Sequence, residues 1–415
     1  MPLRTAPQTP PRPIEIILIL AALMSLMAFA VDSMLPALPD IAAELSPGNV
    51  DRAQLVVGTY MFGSGIGMLL FGPLADSYGR RVSLTLGAGL FVLASLGARH
   101  AQSIEMLFAF RTLQGFGAAA SRTIAQTVTR DLYSGRDQAR VASLTFMFFV
   151  LIPAIAPLAG QGIIALAGWR AIFTVYLGFG LAVLAWFLVR MPETLNPANR
   201  RPFRLRPVAQ AAREVLRTPV SRRYLAVAIV GFGQFIGYLS SAQQLYADAL
   251  GAGALFPVLF ALVALISAGS GFLNSRLVMR LGMRRLVRAA YASQVVLGSA
   301  YLLAWLTGWA PTLPHGPALA LFVAWSITLF FMNGLTIGNV TALAMEPLGH
   351  IAGTAAAVLG ALSAGLGVLI AAPLGLAYDG TPVPLLTGIV LCSTIGLTLV
   401  WTDIRARSRT GMFDS

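Results

Sequence analysis

The sequence predicts an all-α, polytopic membrane protein with twelve transmembrane helices in two six-helix halves. The first observation is composition: 57% of the 415 residues are hydrophobic and only 11% are charged, against about 25% charged residues in soluble domains. The second is a series of apolar stretches, each close to the roughly 20 residues that cross a bilayer as a helix. The third is the charge distribution, because all 29 basic residues are Arg and most lie in alternate loops.

The apolar stretches divide the chain into five segments. The first six spans are predicted at about 14–38, 52–75, 82–98, 104–127, 140–166 and 170–190, and the second six at about 223–247, 254–278, 286–308, 316–341, 352–377 and 383–402. The predicted segments are a disordered cytoplasmic tail (1–13), an N-terminal six-helix bundle (14–190), a basic cytoplasmic linker (191–222), a C-terminal six-helix bundle (223–402) and a cytoplasmic tail (403–415).

The Arg distribution predicts the orientation of the chain. Cytoplasmic loops of membrane proteins carry an excess of basic residues. Placing the N-terminus inside puts 24 Arg on the cytoplasmic side and three, Arg52, Arg99 and Arg170, on the outer side. Both termini are therefore predicted to be cytoplasmic, and the net charge of +13 needs no nucleic-acid partner. A small-residue site at Ala28–Ala30 leaves a cleaved signal peptide as an alternative, but cleavage would leave an odd number of spans.

The first span contains a carboxylate. Asp32 lies in the outer half of an otherwise apolar stretch, where a charge costs roughly 2.5 to 3.5 kcal/mol and normally faces a cavity, a partner or a proton pathway. Pro36, four residues later, cannot donate the helix hydrogen bond that the Asp32 carbonyl would otherwise accept. A kink is therefore predicted beside the charge.

The fourth span carries two arginines, Arg111 and Arg122, inside its apolar window. Eleven residues leave only about 20° of rotation on a helix, so both lie on one face, and Gln114 extends this polar stripe. Arg122 lies nearer the inner end, where a long basic side chain can snorkel. Arg111 and Asp32 lie at similar depths below the outer surface, which predicts an ion pair between them.

A turn rich in Gly and Arg joins the second and third spans, Gly72-Pro-Leu-Ala-Asp76-Ser-Tyr-Gly79-Arg80-Arg81. Its glycines would permit close helix approach and a sharp turn, and Asp76 can pair with the arginines. The loop resembles the signature loop of the major facilitator superfamily, which implies two six-helix halves and alternating access. A decayed copy begins at Ser275, 203 residues further on, with Met279 in place of the acid.

Two further motifs resemble those of drug:proton antiporters of this superfamily. In the fourth span the pattern is Arg111-x-x-Gln114-Gly-x-Gly. In the fifth span, Pro153, Pro157 and Gly160 resemble the antiporter helix, although Ala156 stands where that motif has Gly. An Asp four residues before a Pro in the first helix points to the bicyclomycin and chloramphenicol resistance (Bcr/CflA) branch.

This resemblance implies export of small, mostly lipophilic drugs in exchange for protons, across a bacterial inner membrane. Asp32 and Arg111 are the predicted proton-coupling residues. The predicted substrate-binding residues are Asp32, Arg111, Gln114, Tyr60, Phe149, Gln234, Tyr238 and Asn333. The expected partners are drug-like molecules, protons and lipid, with no cofactor except the proton gradient and no metal. A monomer is implied.

Other functions remain open at this point. A transporter of one native metabolite, by export or by symport, fits the same motifs. A receptor or scaffold is a less favoured alternative. A membrane enzyme is disfavoured because the three histidines, His100, His315 and His350, are scattered and no acids cluster with them.

Overall fold

The computed structural model describes residues 11–409, apart from the side chains of Arg136, Ala139, Ser143, Phe146, Phe149, Val150, Asn199 and 405–409. The predicted N-terminal tail lies largely outside this range. Within it the secondary structure is helical, with no strand. The α-helices are α1 Pro13–Asp32, α2 Leu38–Leu45, α3 Leu55–Tyr78, α4 Arg80–Arg99, α5 Ile104–Leu132, α6 Gly135–Val150, α7 Ile152–Ala167, α8 Arg170–Arg190, α9 Arg206–Arg217, α10 Pro219–Gln244, α11 Phe256–Leu281, α12 Met283–Leu306, α13 His315–Met345, α14 Ala352–Leu376 and α15 Val383–Arg409.

The helices are long enough and apolar enough to form a polytopic membrane protein. Nine stretches of the described chain qualify as membrane spans by length and hydropathy, and one of them, His315–Leu376, contains both α13 and α14. The charged α5, with 29 residues, and the consecutive pair α6 and α7 account for the remaining two predicted spans. The all-α, polytopic fold class is confirmed.

The first span is broken at the predicted place. α1 ends at Asp32, a short 3₁₀ turn covers Leu35–Ala37, and α2 begins at Leu38. At the break, the Met34 amide donates to the Val31 carbonyl at 3.2 Å. This is an i→i−3 bond of the 3₁₀ type, whereas in a continuous α-helix the Met34 amide would donate to the Ala30 carbonyl. The break therefore leaves the Ala30 carbonyl without its usual helical partner.

The fifth predicted span consists of two helices. α6 ends at Val150 and α7 begins at Ile152, with Pro153 in its first turn. The missing N–H of a proline costs least in the first turn of a helix, where that N–H would have no helical partner in any case. The continuous span predicted at 140–166 is therefore interrupted at Leu151, whose amide bonds to the Phe148 carbonyl in a 3₁₀ manner.

The described chain forms two compact units. The first contains the chain up to Ala37 and Thr59–Arg206, and the second contains Leu38–Gly58 and the chain from Pro207 onward. The predicted linker, 191–222, is divided between the two units after Arg206. The units also differ from the predicted bundles at Leu38–Gly58, which belongs to the second unit.

Hydrogen bonds explain why this segment belongs to the second unit. Gln54, which is 4% exposed, accepts from the Ser241 hydroxyl at 3.0 Å and donates to Gln244. The Gln244 amide in turn donates to Asp51 at 3.0 Å. Moving this segment away from α10 would break these hydrogen bonds and leave the buried Gln54 amide without partners, which is costly.

Candidate functional site

Asp32 is buried at the break in the first span. It is the last residue of α1 and is only 6% exposed. Among the residues that the structure describes, no ion pair or hydrogen bond of its carboxylate is found. A buried carboxylate in this environment is costly when charged, and a bound proton removes that cost.

Arg111 on α5 reaches the same break from the side. It is fully buried, and its Nη2 donates to the Ala30 carbonyl at 3.1 Å. This is the carbonyl that the break in α1 leaves without a helical partner. Its Nη1 donates to Gln114 at 2.5 Å, and the guanidinium lies 4.3 Å from the centre of the Tyr60 ring. The predicted ion pair with Asp32 is not among the described contacts, and the two described bonds of Arg111 go to neutral acceptors.

Tyr176 on α8 completes the same site. Its hydroxyl donates to the Ala30 carbonyl at 3.1 Å and lies 2.8 Å from the Ser33 hydroxyl. The Tyr60 hydroxyl, on α3, lies 3.4 Å from the Met27 carbonyl. Both tyrosines are fully buried. We call Asp32, Tyr60, Arg111 and Tyr176 the α1-break site. The sequence singled out Tyr60 but not Tyr176, since nothing local marks a tyrosine on the sixth span.

The glycines of the fourth-span motif allow α5 to reach this position. A Cβ on Gly115 would lie 1.9 Å from the Tyr60 carbonyl oxygen, and a Cβ on Gly117 would lie 2.5 Å from the Gly87 carbonyl oxygen. Gln114 extends the contact by donating to the Ser95 hydroxyl on α4 at 2.6 Å. The motif therefore holds α3, α4 and α5 together directly behind Arg111.

The antiporter helix contacts the break from another side. A Cβ on Gly160 of α7 would lie 2.1 Å from the Ser33 carbonyl oxygen, the residue after Asp32. Pro153 lies in the first turn of α7, and Pro157 lies inside the helix. Ala156 is fully buried, so this departure from the motif still fits a close contact. Within the first unit, Gly160 links α7 to the site that contains Asp32.

The signature loop, Gly72–Arg81, is organised by one buried arginine. Arg80 is 3% exposed. It donates through Nε to Asp131 at 2.8 Å and through Nη1 to Asp76 at 3.1 Å and to the Ala75 carbonyl at 2.7 Å. Asp131 is the last acid of α5 and was not predicted as a partner. The sequence signal for this partner is an acid at the inner end of the fourth span, on the same side of the membrane as the signature loop.

The signature loop contains two glycines, Gly72 and Gly79, and the turn between α3 and α4 requires glycine only at Gly79. Gly79 has φ +99°, a conformation that side chains disfavour, whereas a Cβ on Gly72 would meet nothing within 4 Å. Among the residues that the structure describes, the close approach expected at Gly72 is therefore not found. Glu193, in the linker, accepts from the Arg80 amide at 2.9 Å and the Arg81 amide at 3.1 Å. It caps the N-terminus of α4, where an anion is favourable.

The second copy of the loop has carboxylate partners despite Met279. Arg284 at the start of α12 donates to Asp403 at 3.1 Å and also bonds to Glu346. Arg223 and Tyr224 also bond to Asp403, which is 1% exposed. The second loop receives its acids from distant helices.

The predicted polar stripe of α10 is divided among several neighbours. Gln234 accepts from Ser393 of α15 at 2.9 Å, and the Tyr238 hydroxyl lies 2.9 Å from that of Ser326 on α13. Asn333 differs, because it is 4% exposed and neither of its amide atoms has a hydrogen-bond partner in the described structure. Asn333 lies on α13 rather than on α10. Its amide is therefore available to bind a ligand, unlike the side chains of Gln234 and Tyr238, which already bond to neighbouring helices. The Phe149 side chain lies outside the described part.

These features define a class of protein, an α-helical, multi-pass membrane transporter with charged side chains held inside its spans. Residues 18–403 match the model of the Major Facilitator Superfamily, and the chain belongs to this family. It is therefore a transporter rather than an enzyme, and a multi-pass protein of the bacterial inner membrane.

Several bacterial relatives share most of the chain. An uncharacterized MFS-type transporter, YdgK, of Bacillus subtilis is 30% identical over 390 residues, covering 91% of this chain and 94% of its own. A bicyclomycin resistance protein homolog of Haemophilus influenzae is 28% identical, covering 92% and 94%. A chloramphenicol resistance protein of Pseudomonas aeruginosa is 31% identical, covering 85% and 83%.

Solved structures share the fold at low identity. A D-xylose-proton symporter matches with a TM-score of 0.72 at 15% identity, covering 94% of this chain and 96% of its own. The human organic anion transporter MFSD10 matches with a TM-score of 0.62 at 17% identity, covering 94% and 99%. These similarities support the architecture alone.

Proposed function

We propose that this protein exports small, mostly lipophilic drugs across the bacterial inner membrane in exchange for protons. Asp32 is the proposed proton carrier. The observation that supports this most directly is the buried Asp32 carboxylate, for which the described structure contains no ion pair. The names of the bicyclomycin and chloramphenicol resistance relatives support the substrate class.

The α1-break site explains how protonation of Asp32 could affect transport. Asp32 lies two residues after Ala30, whose carbonyl accepts from both Arg111 and Tyr176. Gly160 packs against the next residue, Ser33. A charge that appears on Asp32 costs roughly 2.5 to 3.5 kcal/mol in a membrane interior. The site therefore favours rearrangement of α1 against α5, α7 and α8 when the proton leaves.

The proposed cycle is a competition between proton and drug. Asp32 receives a proton from the outer side, releases it when the protein opens inward, and drug then occupies the vacated site. The proposed substrate-binding residues of the first unit are Arg111, Gln114 and Tyr60, and those of the second unit are Gln234, Tyr238 and Asn333. We propose that the proton gradient is the only energy source, that no cofactor or metal takes part, and that both termini are cytoplasmic in a functional monomer.

Asp32→Asn tests the proposal, with Asp40→Asn as the matched control. Asp40 lies eight residues away on α2 and is exposed. Purified protein in liposomes is given a pH gradient, and chloramphenicol accumulation and internal pH are followed together. We expect Asp32→Asn to abolish uphill accumulation but to retain exchange of labelled for unlabelled drug without a gradient, because Asn cannot cycle a proton. Uphill accumulation that survives in this variant would sink the proposal.

A further inference from the structure

Arg122 is a second charged residue within α5. Its side chain is exposed, whereas that of Arg111 is buried. It lies eleven residues further along, on nearly the same face of the helix. Arg111 is fully buried, and its Nη1 and Nη2 atoms both donate to protein acceptors. Arg122 is exposed, and in the described chain no hydrogen bond or ion pair of its guanidinium is found. Its five N–H donors are therefore available to a ligand.

The face of α5 that carries Arg122 is polar. Between Ser121 and Arg130, every side chain that is exposed or half-exposed is polar: Arg122, Thr123, Gln126, Thr127 and Arg130. In the preceding half of the helix, large exposed side chains include Met106 at 38% and Leu113 at 44%, and these lie about 160° to 180° around the helix from Arg122. Lipid-facing surfaces carry hydrocarbon side chains. The stripe that contains Arg122 therefore faces water rather than lipid tails.

Arg122 has the chemistry of an anion-binding residue. A guanidinium presents parallel N–H donors that match the two oxygens of a carboxylate or phosphate. Gln126 lies one turn further along the same stripe, and its amide can donate to the same group. We propose that Arg122 binds the acidic group of the transported molecule, so that the substrates include amphipathic monoanions such as carboxylates. This inference rests on the proposed transport function and adds the substrate's charge to it.

The test compares a neutral compound with its acidic derivative. Chloramphenicol is uncharged, and chloramphenicol hemisuccinate carries one carboxylate on the same scaffold. Binding of each to the purified protein in detergent is measured by calorimetry, with no gradient required. The variants are Arg122→Gln, Arg122→Lys and the matched control Arg130→Gln, which removes one charge from the same polar stripe.

We expect Arg122→Gln to weaken hemisuccinate binding at least about tenfold, as expected for loss of charged hydrogen bonds, and to leave chloramphenicol binding nearly unchanged. Arg122→Lys should retain part of the affinity for the hemisuccinate, because Lys keeps the positive charge but lacks the two parallel N–H donors of a guanidinium. Arg130→Gln should have little effect on either compound. Equal losses for both compounds, no loss for either, or the same loss in Arg130→Gln would overturn the proposal. Failure of the wild-type protein to bind the hemisuccinate would also overturn it.

Failure of this inference can be told apart from failure of the proposed function. If the hemisuccinate binds through Arg122 but the protein moves neither compound in liposomes, the anion site stands and the export function fails. If the protein exports chloramphenicol and Arg122→Gln has no selective effect, the export function stands and the anion site fails.

Discussion

Asp131→Asn should destabilise the first unit, because it removes the charged partner of the buried Arg80. Arg80 donates two bonds to this carboxylate, at 2.8 Å from Nε and 3.2 Å from Nη2. The side chains are only 3% and 15% exposed, so water screens the pair weakly. The change leaves Arg80 with Asp76, whose side chain is 44% exposed, and with the Ala75 carbonyl.

The expected magnitude follows from this geometry. Removing one partner of a buried ion pair typically costs about 3–5 kcal/mol. Asn keeps one oxygen acceptor and Arg80 keeps two other partners, so we expect about 2 kcal/mol. On the scale of soluble domains of similar size to this unit, that corresponds to about 4 to 8 °C in Tm. Asp137→Asn, an exposed acid six residues away, should change Tm little.

The assay is thermal unfolding of the purified protein in detergent, with a double-mutant cycle. Arg80→Gln alone should also lower Tm, because it leaves the Asp131 carboxylate, whose side chain is 15% exposed, without its charged partner. The double variant, Arg80→Gln with Asp131→Asn, should be clearly more stable than the sum of the two losses predicts. Additive losses, or equal shifts for Asp131→Asn and Asp137→Asn, would refute the idea that this ion pair organises the signature loop.

Two further predictions concern packing and an unpaired amide. Gly115→Ala should lower Tm strongly, because its Cβ would lie 1.9 Å from the Tyr60 carbonyl oxygen. Gly72→Ala should leave Tm unchanged or raise it, because its Cβ meets nothing within 4 Å and Ala favours a helix by about 0.5–1 kcal/mol; similar losses for both variants would contradict the structure. Asn333→Leu should preserve Tm, because an amide without partners is replaced by a hydrocarbon, while chloramphenicol binding weakens. A loss of Tm without a loss of binding would assign Asn333 a structural role instead.

The sequence by itself was sufficient for the spans and for the break in the first one. Apolar stretches of bilayer length are local features, and so is the missing N–H of Pro36, which lies four residues after Asp32. The fourth-span motif was equally legible, because glycines at fixed distances from Arg111 mark a helix that approaches its neighbours closely. The interruption of the fifth span at Leu151 was missed, although Pro153 was visible, because a proline can also lie inside a kinked span.

The partners of the buried charges were decided only by the tertiary structure. Arg111 bonds to the Ala30 carbonyl, 81 residues away, and a main-chain acceptor carries no mark in the sequence. Arg80 bonds to Asp131, and Arg284 to Asp403, 119 residues away. Helical periodicity reports which face a residue occupies, but not which helix lies opposite that face. The sequence therefore determined where charges enter the membrane spans, and the packing of the helices within each unit determined which atoms stabilise them.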